Sequence, residues 1–184
     1  MRLYVAMELP EELRKILADL SSDLQRQIDG RFVDPSLYHV TLAYIGETPD
    51  EKVTNVAEIV RKACIGLSPT SASLLGLGRF GKPSNGILVA RIDDNGTITN
   101  IGNSVRRALS ENEISFDPKP IKPHVTLARK VDTRAHRDIL EKARQIDSPS
   151  ATFDVVTLFQ STRVDGALAY LPQQRCTLQG DCEL

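Results

Sequence analysis

Two segments of this chain pair the residue type best suited to proton transfer with a nearby hydroxyl: His39-Val40-Thr41-Leu42 and His124-Val125-Thr126-Leu127. Histidine titrates near neutrality. One neutral imidazole can therefore take a proton from water while a protonated one delivers a proton to a leaving oxygen. On a β-strand, residues two apart point to one face. His39 and Thr41 thus share a face, with Val40 and Leu42 on the apolar side, and His124 and Thr126 share one opposite Val125 and Leu127. Brought to a single cleft, two imidazoles and two hydroxyls suit phosphoryl transfer, with the threonines hydrogen-bonding nonbridging oxygens as charge shifts in the transition state. That chemistry calls for no metal ion and no other cofactor.

A lone histidine on a strand is most often a structural or surface residue. The duplication reverses that reading. His39-Val40-Thr41-Leu42-Ala43 recurs letter for letter as His124-Val125-Thr126-Leu127-Ala128, and Phe32-x-Asp34-Pro35 upstream is echoed by Phe116-Asp117-Pro118. The chain has three histidines. The third, His136, stands among Arg134, Arg137 and Asp138 and reads as a solvated residue on a helix.

The elements that must position these residues follow from apolar periodicity. Helical spacing predicts helices over 10–29, 49–66, 97–110 and 133–146. The second opens with Thr48 as N-cap, Pro49 at the first helical position and Glu51 closing a capping box. Short apolar, β-branched runs predict strands over 2–8, 38–45, 71–79, 86–92, 123–130, 152–159 and 167–178. Each half reads strand, helix, short Asp-Pro strand, His-Val-Thr-Leu strand, helix, strand. The chain is therefore expected to be one duplicated, bilobal α+β domain over 1–184, with repeats of roughly 1–84 and 85–184 related by an approximate twofold.

Other patterns are excluded. Gly76-Leu77-Gly78-Arg79-Phe80-Gly81 spells a dinucleotide fingerprint, but Lys82-Pro83-Ser84-Asn85-Gly86 then forms a turn where a helix would be needed. Those glycines instead suit a bulge or a close backbone approach. Neither histidine has a second ligand at zinc spacing, and no G-x-S-x-G elbow occurs. Among the basic residues of 117–137, Arg129 is the favoured phosphate ligand for its bidentate reach. Strict alternation puts it on the side of Val125 and Leu127, so a bulge or strand end is needed to turn it round. Tyr44, equivalently placed after His39, could stack on a base, as could Phe80.

The bulk composition sets outer limits. A net charge of −1 argues against a wrapped polyanion but leaves room for a small anionic group held locally. Three cysteines without a C-x-x-C pair exclude a disulfide framework or zinc knuckle, and Cys64 sits on an apolar helix stripe as core. No apolar run is long enough for a membrane span, and the early charges at Arg2 and Glu8 do not suit a signal peptide. A cytoplasmic monomer is the expectation.

The paired motifs, the opening Met1-Arg2-Leu3-Tyr4-Val5-Ala6 with Leu9-Pro10, the Gly76–Phe80 stretch and Pro123–Arg129 together resemble the two-histidine phosphoesterase superfamily. Within it, the chain is similar to the RNA 2′,3′-cyclic phosphodiesterases, also called 2′-5′ RNA ligases. The resemblance implies two antiparallel sheets lining a central cleft with helices outside. It implies hydrolysis of 2′,3′-cyclic phosphate ends of RNA or nucleotides to 2′-phosphomonoesters, with reversible 2′-5′ ligation as a secondary activity. By the same resemblance His39 is the proton donor, His124 the base, and Arg129 a substrate ligand. Gly81 and Gln160 depart from the family pattern of proline and glutamate, at positions that bear on how a base is held. Two other readings use the same cleft: a non-catalytic module that binds RNA ends, and a phosphodiesterase for 2′-5′ linked oligonucleotides.

Overall fold

The computed structural model describes residues 1–179; Cys182 lies outside them. In chain order the elements are β1 (Arg2–Glu8), α1 (Glu11–Gln25), β2 (Arg31–Phe32), a 3-10 turn at Pro35–Leu37, β3 (His39–Glu47), α2 (Asp50–Ala63), β4 (Thr70–Lys82), β5 (Asn85–Asp93), α3 (Thr97–Glu111), β6 (His124–Val131), α4 (Arg137–Lys142), β7 (Ala151–Phe153), β8 (Val155–Val164) and β9 (Ala167–Thr177). They form two antiparallel sheets, one ordered β3-β1-β8-β9 and the other β2-β6-β5-β4-β7.

The periodic faces go where their spacing sends them. Leu13, Leu17 and Leu24 of α1, Val53, Val56 and Val60 of α2, and Ile98, Ile101, Val105 and Leu109 of α3 are buried. They join Leu3, Val5, Met7, Val40, Leu42, Val125 and Leu127 in one continuous core. The strand exchange between halves is beyond any local pattern. β4 closes the first half but pairs with β5, and β8 closes the second half but pairs with β1. Each sheet therefore draws strands from both halves, while the two His-Thr strands β3 and β6 stay in different sheets, each beside the first strand of its own half.

Five expectations change. The helix over 133–146 shortens to Arg137–Lys142. Asp132 Oδ1 accepts from the backbone N–H groups of Arg134 and Ala135, and Thr133 N–H is spent on Pro83 O at 2.8 Å, so this stretch is a turn. His136 accordingly precedes α4 and is half-buried, not solvated on its face. The capping box at α2 does not form: Pro49 is itself the extended N-cap residue, and Thr48 Oγ1 turns back to donate to Gly46 O at 3.2 Å. The expected strand over 152–159 breaks at Asp154, where the chain leaves the β4 edge as β7 and enters the other sheet as β8. Finally, Phe116-Asp117-Pro118 is not a strand, although Asp117 N–H still donates to Tyr44 O at 2.8 Å.

The glycine-rich stretch is the close approach its composition suggests. The register of β4 against β5 slips between Leu74 and Gly76, Gly76 takes φ +142°, and a Cβ there would lie 2.1 Å from Arg144 O. Gly81 takes φ +79°, which is closed to the proline found in the resembled family.

The bulges in β3 and β6 matter most for the cleft. Along β1, Val5 pairs with Ala43 and Ala6 with Thr41, so Leu42 is the extra residue; along β5, Leu88 pairs with Ala128 and Val89 with Thr126, so Leu127 is extra. An inserted residue reverses the alternation beyond it. Leu42 and Ala43 are buried in succession, as are Leu127 and Ala128, and Tyr44 and Arg129 swing to the side of the histidines. Each bulge carbonyl finds a partner: Leu127 O accepts from Val33 N at 2.8 Å, and Leu42 O accepts from Arg106 Nε at 2.8 Å. Arg106 also donates to Lys119 O at 2.7 Å and lies over the Phe116 ring. Arg106→Met is expected to lower stability by about 1–3 kcal/mol, because it strands a part-buried carbonyl. The urea midpoint checks this, and a change below about 0.5 kcal/mol would mean the carbonyl needs no arginine.

Candidate active site

The chain turn before each His-Thr strand fixes how its histidine is presented. Asp34 Oδ1 accepts from Ser36 N at 2.8 Å, and Asp117 Oδ1 accepts from Lys119 N at 3.1 Å, so each Asp-Pro pair shapes the approach to the strand. Arg14 of α1 donates to Pro35 O at 2.5 Å and secures the first approach. Each imidazole then hydrogen-bonds the backbone carbonyl two residues before it: His39 Nδ1 to Leu37 O at 2.8 Å, and His124 Nδ1 to Lys122 O. A carbonyl oxygen only accepts, so each Nδ1 carries the proton. In the neutral ring, Nε2 is left with the free lone pair.

Both rings line one cavity of about 270 Å³ between β3 and β6, together with Thr41, Thr126, Tyr44 and Arg129. Of the residues singled out in the sequence, these six meet in one place. Phe80 is set apart from them: its ring packs edge-on against His124, with centroids 4.8 Å apart, so it forms the wall behind that imidazole. The sequence reading missed Tyr4, Tyr170, Arg2 and Ser161, which also line the cavity, and Phe159 behind His39. Only the strand exchange brings β8 beside β1 and β9 beyond it, so no local motif marks Phe159 or Tyr170. Tyrosine distribution is the one usable signal, since three of the chain's four tyrosines end up here.

The two imidazoles differ in their surroundings. Tyr4 lies 4.9 Å from His39, Tyr170 meets it edge-on at 5.2 Å, and Phe159 stands 6.4 Å away. Burial among these rings pushes the His39 pKa down to about 4; the bond to Leu37 O opposes that fall, and the charges of His124, Arg129 and Arg14 add to it. The His124 pKa is also lowered by burial, opposed by its bond to Lys122 O and helped by Arg129. Both rings are thus neutral at pH 7 in the unliganded site. Tyr4 Oη is buried with no hydrogen-bond partner among the described residues, and burial raises its pKa, so it stays a protonated donor free for a ligand oxygen.

Among the described residues no aspartate or glutamate lines the cavity and Arg129 has no ion-pair partner. Arg129, two threonine hydroxyls and two imidazoles around a space of this size make an anion site with proton donors and acceptors on either side, while Arg2, the other arginine of the lining, is paired with Glu47 at 3.0 Å. Among the described residues no group of three or more His, Cys, Asp or Glu is placed to hold a metal ion.

A cleft with this pairing defines a two-histidine phosphoesterase, and the comparisons with known proteins agree. The sequence model of the 2′-5′ RNA ligase superfamily matches residues 6–166, and the chain belongs to that superfamily. A Geobacillus stearothermophilus protein named RNA 2′,3′-cyclic phosphodiesterase is 27% identical over 154 residues, 83% of this chain and 49% of that protein, so the chain spans about half of that relative. A Thermotoga maritima protein of the same name is 25% identical over 185 residues, covering 98% of this chain and 97% of its own. A crystal structure from Thermus thermophilus shares the fold, with a TM-score of 0.77 at 24% identity over 98% of this chain and 100% of that one.

The enclosure of His39 has a measurable consequence. In an NMR titration of the unliganded protein, its Cε1–H is expected to titrate near pH 4, well below 6.5, and His124 also below 6.5. Tyr170→Ala admits water and is expected to move the His39 midpoint back up. A wild-type His39 midpoint at or above 6.5 would contradict the enclosure.

Proposed function

We propose that this protein hydrolyses the 2′,3′-cyclic phosphate at RNA ends to a 2′-phosphomonoester, with reversible 2′-5′ ligation as a secondary activity, through its two histidines and without a metal. The observation that carries this reading is the pair of Nδ1-anchored imidazoles beside two threonines and the unpaired Arg129, in a cavity that no carboxylate lines among the described residues. The names of the Geobacillus and Thermotoga relatives support the same reaction. Working as one bilobal unit is supported by the strands each sheet takes from both halves.

The reaction balances with this chain's own groups. Neutral Nε2 of His124 takes a proton from water as the water oxygen attacks phosphorus. The P–O3′ bond breaks, and Nε2–H of protonated His39 delivers its proton to the departing 3′ oxygen. Thr41, Thr126 and Arg129 hydrogen-bond the nonbridging oxygens, and Tyr44 offers an exposed ring for the base. His39 is neutral in the empty site, so it acquires its proton with the substrate. A phosphodiester anion favours the imidazolium most where the site is driest. The tilted Tyr4 ring beside His39 adds attraction for that cation. The resemblance to the cyclic phosphodiesterases is what gives the donor role to His39 and the base to His124.

His39→Ala and His124→Ala are each expected to lower turnover of a nucleoside 2′,3′-cyclic phosphate by at least ~10², with wild-type activity retained in EDTA. Near wild-type turnover in either variant would refute the mechanism. Tight binding of a 2′-phosphorylated nucleotide with no product formed would instead indicate a binding module. A 3′-deoxynucleoside 2′-p-nitrophenyl phosphate keeps phosphorus on O2′ and puts in place of the 3′ oxygen a leaving group that needs no proton. It should restore much of the rate to His39→Ala but little to His124→Ala, and the opposite pattern would exchange the two roles.

A further inference from the structure

A second cavity of about 530 Å³ opens beside the first and shares Val33, Leu37, Arg129 and Tyr170 with it. Its own contributions are Arg31 and Phe32 of β2 and Arg163, Ala167 and Leu168 around the β8–β9 turn. Nothing in the reaction above uses these residues.

The charges in this groove are unbalanced. Arg31 stands directly across from Arg129 in the β2–β6 pair, and like charges at such positions repel. Arg163 faces the same space, held by its Nη1 donating to Gly166 O at 2.7 Å. Among the described residues none of these three arginines has an ion-pair partner. The groove's one acid among the described residues, Asp34, accepts from Ser36 N and Ser36 Oγ at 2.8 and 2.6 Å, bonds that keep it ionised, so one negative charge faces three positive ones. An anion between Arg31 and Arg163 is the partner this arrangement lacks. Beside it lie Phe32, half-buried, and Leu168, 44% exposed, an apolar surface suited to a base.

We propose that this groove binds the RNA chain itself: the phosphodiester joining the terminal nucleotide to its 5′ neighbour sits between Arg31 and Arg163, and the neighbour's base lies on Phe32 and Leu168. The inference rests on the function proposed above and adds to it that the preferred substrate is an oligonucleotide end, not a free cyclic nucleotide. Arg129 is shared between the groove and the reacting phosphate, which ties occupancy of one to the other.

Binding and turnover test this separately. The probes are a fluorescent five-nucleotide RNA ending in a 2′-phosphate and nucleoside 2′-monophosphate; the substrates are the matching cyclic phosphates. The Arg31→Gln/Arg163→Gln double variant is expected to bind the oligonucleotide at least about tenfold more weakly, with a salt dependence shallower by roughly 0.7 in log–log slope for the one single-strand phosphate no longer neutralised. Its affinity for the mononucleotide, and its kcat/KM on the free cyclic nucleotide, should change far less than its affinity for the oligonucleotide, and the Arg163→Gln single variant, which leaves the Arg31–Arg129 pair in place, should keep both within about twofold of wild type. Unchanged oligonucleotide binding would overturn the groove, and so would equal losses on both probes. If wild type turns over neither cyclic phosphate, the proposed reaction fails while the binding comparison still decides the groove.

Discussion

Everything the cleft can do depends on one short hydrogen bond made twice: each imidazole donates its Nδ1 proton to the carbonyl oxygen two residues earlier, Leu37 for His39 and Lys122 for His124. The bond chooses the tautomer, sets the ring plane and leaves Nε2 as the reactive atom. It exists because the chain turns sharply just before each strand, shaped by the Asp34 and Asp117 side chains that bond backbone N–H groups two residues on. A backbone acceptor is also neutral. A carboxylate in its place would pull each histidine toward the charged form. Here burial prevails instead, and the site waits for charge to arrive with its ligand.

The residues that meet in the cleft were visible in the sequence to the extent that they repeat. His39, Thr41, His124 and Thr126 follow from alternation along a strand and from a second, identical copy. Arg129 and Tyr44 do not. Their place depends on the extra residues Leu42 and Leu127, whose bulges turn the strands over. Leucine in an apolar run gives no hint of a bulge; the cause lies in partners far along the chain, Arg106 and Val33, which take up the freed carbonyls. Helices with broad apolar faces were equally legible. The helix expected over 133–146 failed where Asp132 competed for backbone donors and where no buried face rewarded helix formation.

The aromatic wall around His39 and the basic groove beside it belong to a third category, residues brought in by topology alone. Phe159, Arg163, Leu168 and Tyr170 lie on strands that cross into the sheet of the first half. Their effect is unequal on the two sides. His39 is boxed by Tyr4 and Tyr170, whereas His124 has Phe80 against one edge. A duplicated unit with matching motifs thereby becomes an unsymmetrical site, in which the drier imidazole gains most from an incoming anion.

The tautomers give the most direct test. Long-range ¹H–¹⁵N correlation spectra should show both histidines as the Nδ1–H form at neutral pH in the free protein. On addition of a nucleoside 2′-monophosphate, His39 should become doubly protonated while His124 stays neutral. An Nε2–H tautomer at either position, or no protonation of His39 by the bound anion, would contradict the account.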